Sequence, residues 1–112
     1  MWMIAILRSY VIIMSNITYN YHDTFVFFDG NVILRNFKTG NDTVITFGFM
    51  RCGSYCWLAE QQETFHIEAG KAVFVVDGEE SSVSKGSIMI VPKGKKFTVK
   101  VLEHLDYRCQ YD

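Results

Sequence analysis

From residue 25 to the C-terminus, turn-forming residues recur about every ten positions: Asp29-Gly30, Thr39-Gly40-Asn41-Asp42, Cys52-Gly53, Ala69-Gly70, Asp77-Gly78, Lys85-Gly86 and Pro92-Lys93-Gly94. Between them lie short β-branched and aromatic runs: NVILRNF, TVITFGFM, SYCWL, ETFHIE, KAVFVV, SIMIV, FTVKVL and DYRCQY. Punctuation this close leaves no room for a helix of ordinary length, and no window sustains an apolar i, i+3, i+4, i+7 pattern. The spacing predicts an all-β sandwich or barrel. The only proline, Pro92, falls in a predicted turn, so it interrupts no strand ladder. The chain has 112 residues, enough for one domain, with no repeat and no linker. Hydrophobic residues make up 49% of it, so a real core is available and disorder is excluded.

Alternation within the runs assigns faces. Glu63, Phe65 and Ile67 share one face of ETFHIE, while Thr64, His66 and Glu68 share the other. Phe97, Val99 and Val101 form the apolar face of FTVKVL, and Tyr107, Cys109 and Tyr111 form that of the last run. Glu63 therefore sits among apolar neighbours. A carboxylate there must be partnered, exposed at a rim or shifted in pKa. That makes it the most suggestive residue in the chain.

Charge narrows the partners. Eleven basic and twelve acidic residues leave a net charge of −1, which argues against a nucleic-acid binder and points to a small molecule. Cys52, Cys56 and Cys109 are an odd set without framework spacing, as expected inside the cell. Cys52-x-x-x-Cys56 is too sparse for structural zinc. Residues 1–14 are apolar but too short to span a bilayer, and Arg8 interrupts them. They read as an extension, with Met14 an alternative start and a degenerate signal or anchor peptide the rival reading. Residues 1–23 are thus assigned to an N-terminal extension and 24–112 to the folded domain. Asn16-Ile17-Thr18 and Asn41-Asp42-Thr43 match the glycosylation tripeptide, which carries meaning only in a secreted chain.

Two motif units stand out. Gly48-x5-Ser54-x-Cys56 is followed by Glu63-x6-Gly70, and Gly86-x5-Pro92-x-Gly94 forms the second. These spacings resemble the paired motifs of the cupins, small double-sheet β-barrels. Where metal-binding cupins carry histidines, this chain has Ser54, Cys56 and Phe97, so no metal site is expected around Glu63.

A closer resemblance runs from Phe28 to Tyr111. Phe28-x-Gly30-x-Val32, Gly48-x-Met50-x-x-Gly53-x-Tyr55, Glu63 seven residues before Gly70, Gly86-x5-Pro92, Phe97 and Tyr107-x-Cys109-x-Tyr111 look like the short single-domain cupins of the pyrimidine/purine nucleoside phosphorylases. The resemblance implies a cytoplasmic pentosyltransferase that converts nucleoside and inorganic phosphate to free base and ribose 1-phosphate, with no other cofactor. Ser54, Cys56, Gly94 and Lys95 depart from the family pattern at positions expected to face the barrel interior.

On this reading Glu63 accepts hydrogen bonds from the ribose hydroxyls and stabilises developing positive charge. Phe97 and Tyr107 wall the base, Lys95 or Lys96 cradles phosphate, and Ser54, Cys56 and Cys109 complete the substrate site. Blander readings stand beside these. Glu63 can be a rim carboxylate bonded to loop amides, and Lys93, Lys95 and Lys96 a solvated hairpin tip. Cys56 and Cys109 can be small buried hydrophobes, Phe97 plain core, Tyr55 and Trp57 core or dimer-interface packing, and His66 a surface or interface histidine. A homodimer is expected because a small barrel has edges to protect. The alternative function is a non-catalytic cupin that binds a small ligand. A metal-dependent cupin dioxygenase or isomerase is disfavoured by the missing histidines.

Overall fold

In the computed structural model, the backbone is described for residues 11–14 and 17–112 and side chains from residue 18 onward. The readings made of residues 1–10 and of Asn16 lie outside the described residues. The strands are β1 (Val11–Met14), β2 (Ile17–Phe27), β3 (Val32–Lys38), β4 (Val44–Met50), β5 (Gly53–Leu58), β6 (Glu63–Val76), β7 (Glu79–Ser84), β8 (Ile88–Val91) and β9 (Lys96–Tyr111), with one short 3-10 turn at Phe28–Gly30. Every pairing is antiparallel. The fold is the all-β cupin barrel that the sequence predicts.

Two long strands organise it. β6 and β9 pair from Glu63↔Tyr111 to Val76↔Phe97. The C-terminal half of β9 takes β4 on its other edge, and the N-terminal half takes β5. In the same way β6 takes β8 on its first half and β7 on its second. One layer therefore runs β1-β2-β3-β4-β9-β6-β8 and the other β5-β9-β6-β7, with β6 and β9 bending from one into the other. The inward faces of both layers form one core that includes Val32, Met50, Tyr55, Phe65, Phe74, Val99 and Leu105. Full burial of each large side chain contributes about 1.5–3 kcal/mol.

The bend explains a difference from the sequence reading. Ala69-Gly70 looks like a hairpin turn, but the chain continues through it, so ETFHIE and KAVFVV are one strand. FTVKVL and DYRCQY likewise merge into β9. The register shifts between Ile67 and Ala72 mark a bulge rather than a reversal. Gly70 has φ +93°, and a Cβ there would lie 2.2 Å from the His104 carbonyl oxygen. Only glycine fits, because both the backbone conformation and the approach of β9 exclude a side chain.

Three further features were hidden by composition. The polar run Glu79–Ser84 is β7, an edge strand with Val83 as its only buried residue. It joins β6 through Asp77-Gly78, both at positive φ, which is the turn chemistry of a two-residue hairpin. The boundary drawn at residue 24 falls inside β2, whose Tyr19 is buried in a second cluster with Phe37 and Ile45. That cluster lies on the outer face of the larger layer. In β4 it is therefore Thr46, Gly48 and Met50 that point to the core, while the more apolar Ile45, Phe47 and Phe49 point away.

Gly70→Ala is expected to destabilise the protein by about 2–4 kcal/mol, the sum of left-handed backbone strain and overpacking against the β9 carbonyl. Urea unfolding of the two proteins checks this. A loss below about 1 kcal/mol would mean that the bulge relaxes freely.

Candidate functional site

Between the two layers lies a cavity of ≈ 80 Å³ that opens to solvent. Its polar side is carried by Glu63 on β6 and by Tyr107, Cys109 and Tyr111 on β9, with Thr46 of β4 beside them. Its apolar side is carried by Leu34, Met50, Trp57, Phe65 and Phe97. The β6–β9 register sets the polar group: Glu63 is opposite Tyr111, and Phe65 is opposite Cys109. Alternation along β9 then brings Tyr107, Cys109 and Tyr111 to the same side.

Tyr107 needs room that only one neighbour can give. It is paired across the ladder with Gly48, and a Cβ at that position would lie 2.2 Å from the Tyr107 ring. The ring therefore lies across the space a side chain at 48 would fill. Nearby, Thr46 is the one fully buried polar residue among those described. Its hydroxyl donates to Asn36 Oδ1 at 2.7 Å, which uses its single proton. The contact between Thr46 Oγ1 and the Tyr111 hydroxyl must then be donated by the tyrosine. What Tyr111 offers the cavity is an acceptor oxygen.

Glu63 is half-buried, and no cation among the described residues pairs with it. Its pKa is raised from 4.5 to about 7; burial is the largest cause, the Cys109 thiol pulls the other way, and the charge of Glu60 pushes it further up. The Cys109 thiol donates to Glu63 Oε1 across 3.9 Å. Burial, reinforced by the Glu63 charge, holds that thiol well above its ordinary range. Cys109 is thus a protonated donor rather than a nucleophile. Burial likewise raises the Tyr107 and Tyr111 phenols, so both stay neutral. The cavity can supply and accept protons near neutral pH, but among the described residues no Lys, Arg or His lines it.

Of the residues singled out in the sequence, the fold brings Glu63, Phe97, Tyr107 and Cys109 together around this cavity. It does not bring the others. Ser54 and Cys56 are exposed on the outer face of β5, because Tyr55 and Trp57 take the inward positions of that alternation. The expectation that 54 and 56 face the interior is corrected by one residue of parity, and Cys56 is not a buried hydrophobe. Lys95 forms an ion pair with Asp77 at 2.8 Å at a hairpin end. Lys96 is turned outward by the inward Phe97 and lines a separate groove with Asp77 and Thr98. Neither lysine lines the cavity.

Sequence reasoning missed Thr46 and Tyr111 as site residues and read Trp57 as core or interface packing. All three follow from alternation once Glu63 and Tyr107 anchor the inward parity. The Trp57 indole N–H is buried without an acceptor, and the rings of Phe27 and Phe28 meet its ring edge-on at 5.7 and 5.3 Å. Among the described residues, no group of three or more His, Cys, Asp and Glu could hold a metal ion, and no helix is long and apolar enough to cross a membrane.

Known proteins resemble this chain over most of its length. The family model described as pyrimidine/purine nucleoside phosphorylase matches residues 22–111. A protein of that name from Geobacter sulfurreducens is 32% identical over 88 residues, covering 77% of this chain and 85% of the relative. Another from Clostridioides difficile is 32% identical over 88 residues, covering 77% and 84%. Among solved structures, a protein of unknown function from Acinetobacter sp. ADP1 superposes with a TM-score of 0.79 at 21% identity, covering 88% of this chain and 97% of that one. A putative ethanolamine utilization protein Q from Salmonella typhimurium gives 0.70 at 15% identity, covering 92% of each. At these identities the structures show the shared fold alone.

The raised pKa of Glu63 has a stability consequence. Between about 4.5 and 7 the folded state holds a proton that the unfolded state has released, so stability falls as pH rises through that interval and levels off above it. Melting temperatures across pH 4 to 8 should show this decline in the wild type and a flatter profile for Glu63→Gln. Parallel profiles would mean that Glu63 ionises freely.

Proposed function

The chain belongs to the pyrimidine/purine nucleoside phosphorylase family, and on that premise we propose that it cleaves nucleosides with inorganic phosphate to a free base and ribose 1-phosphate. The observation that carries the reading is Glu63: a carboxyl group that is half neutral near pH 7, set among hydroxyl and thiol groups in an otherwise apolar cavity.

The reaction needs what such a group can give. A phosphate oxygen forms a bond to C1′ as the C1′–N bond breaks, and the bonding pair leaves with the base. The base is a poor leaving group as an anion, so protonated Glu63 delivers its proton to it. The carboxylate so formed faces the cationic sugar carbon and stabilises it. The proton carried by hydrogen phosphate returns to Glu63, and the balance closes without a metal or redox partner. Tyr111, whose proton is committed to Thr46, accepts from a ribose hydroxyl. Phosphate is the co-substrate, and the cytoplasm, where free thiols persist, is the compartment this reading favours.

One observation favours a second reading. Among the described residues no basic side chain lines the cavity, so none of them offers a phosphate anion a cation there. A barrel that binds a neutral small ligand without turning it over fits that lining equally well.

Base release separates the two. Uridine, cytidine, adenosine, guanosine, inosine and xanthosine are each incubated with chelator-treated protein, with and without phosphate. Phosphate-dependent release is expected. Glu63→Gln should lower kcat by about 10²- to 10⁴-fold in folded protein, and wild-type turnover should fall as pH rises through about 7, where the acid loses its proton. No release by folded wild type, or undiminished turnover by the variant, would refute the mechanism.

A further inference from the structure

The cavity is smaller than its proposed substrate. At ≈ 80 Å³ it falls well below the roughly 300–1,000 Å³ of pockets that enclose drug-sized molecules. Next to it, the chain exposes aromatic surface. Phe25, Phe27 and Phe28 are 41%, 39% and 44% exposed, within four consecutive residues. All three adjoin residues that line the cavity, Phe28 through Trp57 at 5.3 Å. Phe25 is the ladder partner of the cavity residue Leu34, so it points to the same side of the sheet. Phe27 lies two residues on, on that same face, and its ring meets the cavity residue Trp57 edge-on at 5.7 Å. The Phe25 and Phe27 rings are near-parallel, 10° apart with centroids separated by 6.1 Å.

We propose that only the sugar end of a nucleoside enters the cavity, and that Phe25 and Phe27, with the edge of Trp57, form an aromatic seat for the base at its mouth. The inference rests on the nucleoside reading above and adds where the base sits. It follows from the chemistry of the rim. A flat heteroaromatic ring stacks on phenyl faces through its π-surface, and every base has one, so the seat tolerates purines and pyrimidines alike. Hydrogen-bond readout would discriminate among bases, but the two phenylalanines have no polar atom to do so. The reacting C1′ stays near Glu63, and the mouth remains open for phosphate.

Equilibrium binding of uridine, inosine and free ribose tests this, with base release and sedimentation measured on the same samples. Phe25→Ala and Phe27→Leu are the variants; leucine keeps an apolar contact against Trp57 while removing the π-face. The expected result is that wild type binds both nucleosides at least tenfold more tightly than ribose. Each variant should weaken nucleoside binding by about tenfold and leave ribose binding unchanged. Unchanged nucleoside binding in folded variants overturns the seat. So does a change in sedimentation with unaffected nucleoside binding, which would make this face a contact between copies. If wild type binds nucleosides through these rings but releases no base, the seat stands and phosphorolysis falls. Base release unaffected by either variant leaves phosphorolysis standing and removes the seat.

Discussion

The pairing of β6 with β9 is the constraint on which everything else in this molecule depends. Each strand is long enough to serve two layers, so their register, offset by one residue across the bulge, decides which residues point inward in both. Glu63 opposite Tyr111, and Phe65 opposite Cys109, are consequences of that register, and so is the inward orientation of Phe97. Such a ladder is intolerant of slippage, since a shift of one residue would turn every core side chain outward. The bulge near Gly70 is where the two strands absorb the bend between layers without losing pairing on either side.

Within that frame, the cavity combines satisfied and unsatisfied polar groups. Asn36, Thr46 and Tyr111 form a closed series of hydrogen bonds, so their burial costs little. Glu63 is different. The hydrogen bond it accepts comes from a weak thiol donor, and burial leaves the charged form poorly solvated. A fold keeps a group like that at a cost to its own stability. The same arrangement supplies a proton near neutral pH, which links the local destabilisation to the chemistry proposed for the site.

Much of this was legible in the sequence, because turn residues and alternation are local signals. The all-β barrel, and the shared faces of Glu63 with Phe65 and of Tyr107, Cys109 and Tyr111, need nothing beyond a strand's period of two. The failures have equally local causes. Ala69-Gly70 uses the residue of a turn to make a bulge, and the sequence does not say which. Alternation alone does not say which face of β4 is inward: Ile45, Phe47 and Phe49 are the more apolar set, yet the ladder turns them outward, where Tyr19 and Phe37 pack with Ile45. Analogy with the cupin pattern points Ser54 and Cys56 inward, while β5's own alternation turns Tyr55 and Trp57 in. Lys95 looks free until Asp77, eighteen residues earlier, proves to be its partner across the hairpins. Parity needs an anchor, and long-range pairing supplies it.

Every residue that lines the cavity belongs to a strand: Leu34 to β3, Thr46 and Met50 to β4, Trp57 to β5, and the rest to β6 and β9. Many enzymes vary their chemistry by lengthening or exchanging loops on a fixed scaffold. That route does not reach this cavity, because no loop among the described residues contributes to its wall. The hairpin ends, Asp77-Gly78 among them, are free to drift in length and composition with little effect on the interior. New specificity at this cavity must come instead through paired substitutions across a ladder, of the kind that Gly48 and Tyr107 already embody, where the volume given up by one strand is taken by the next.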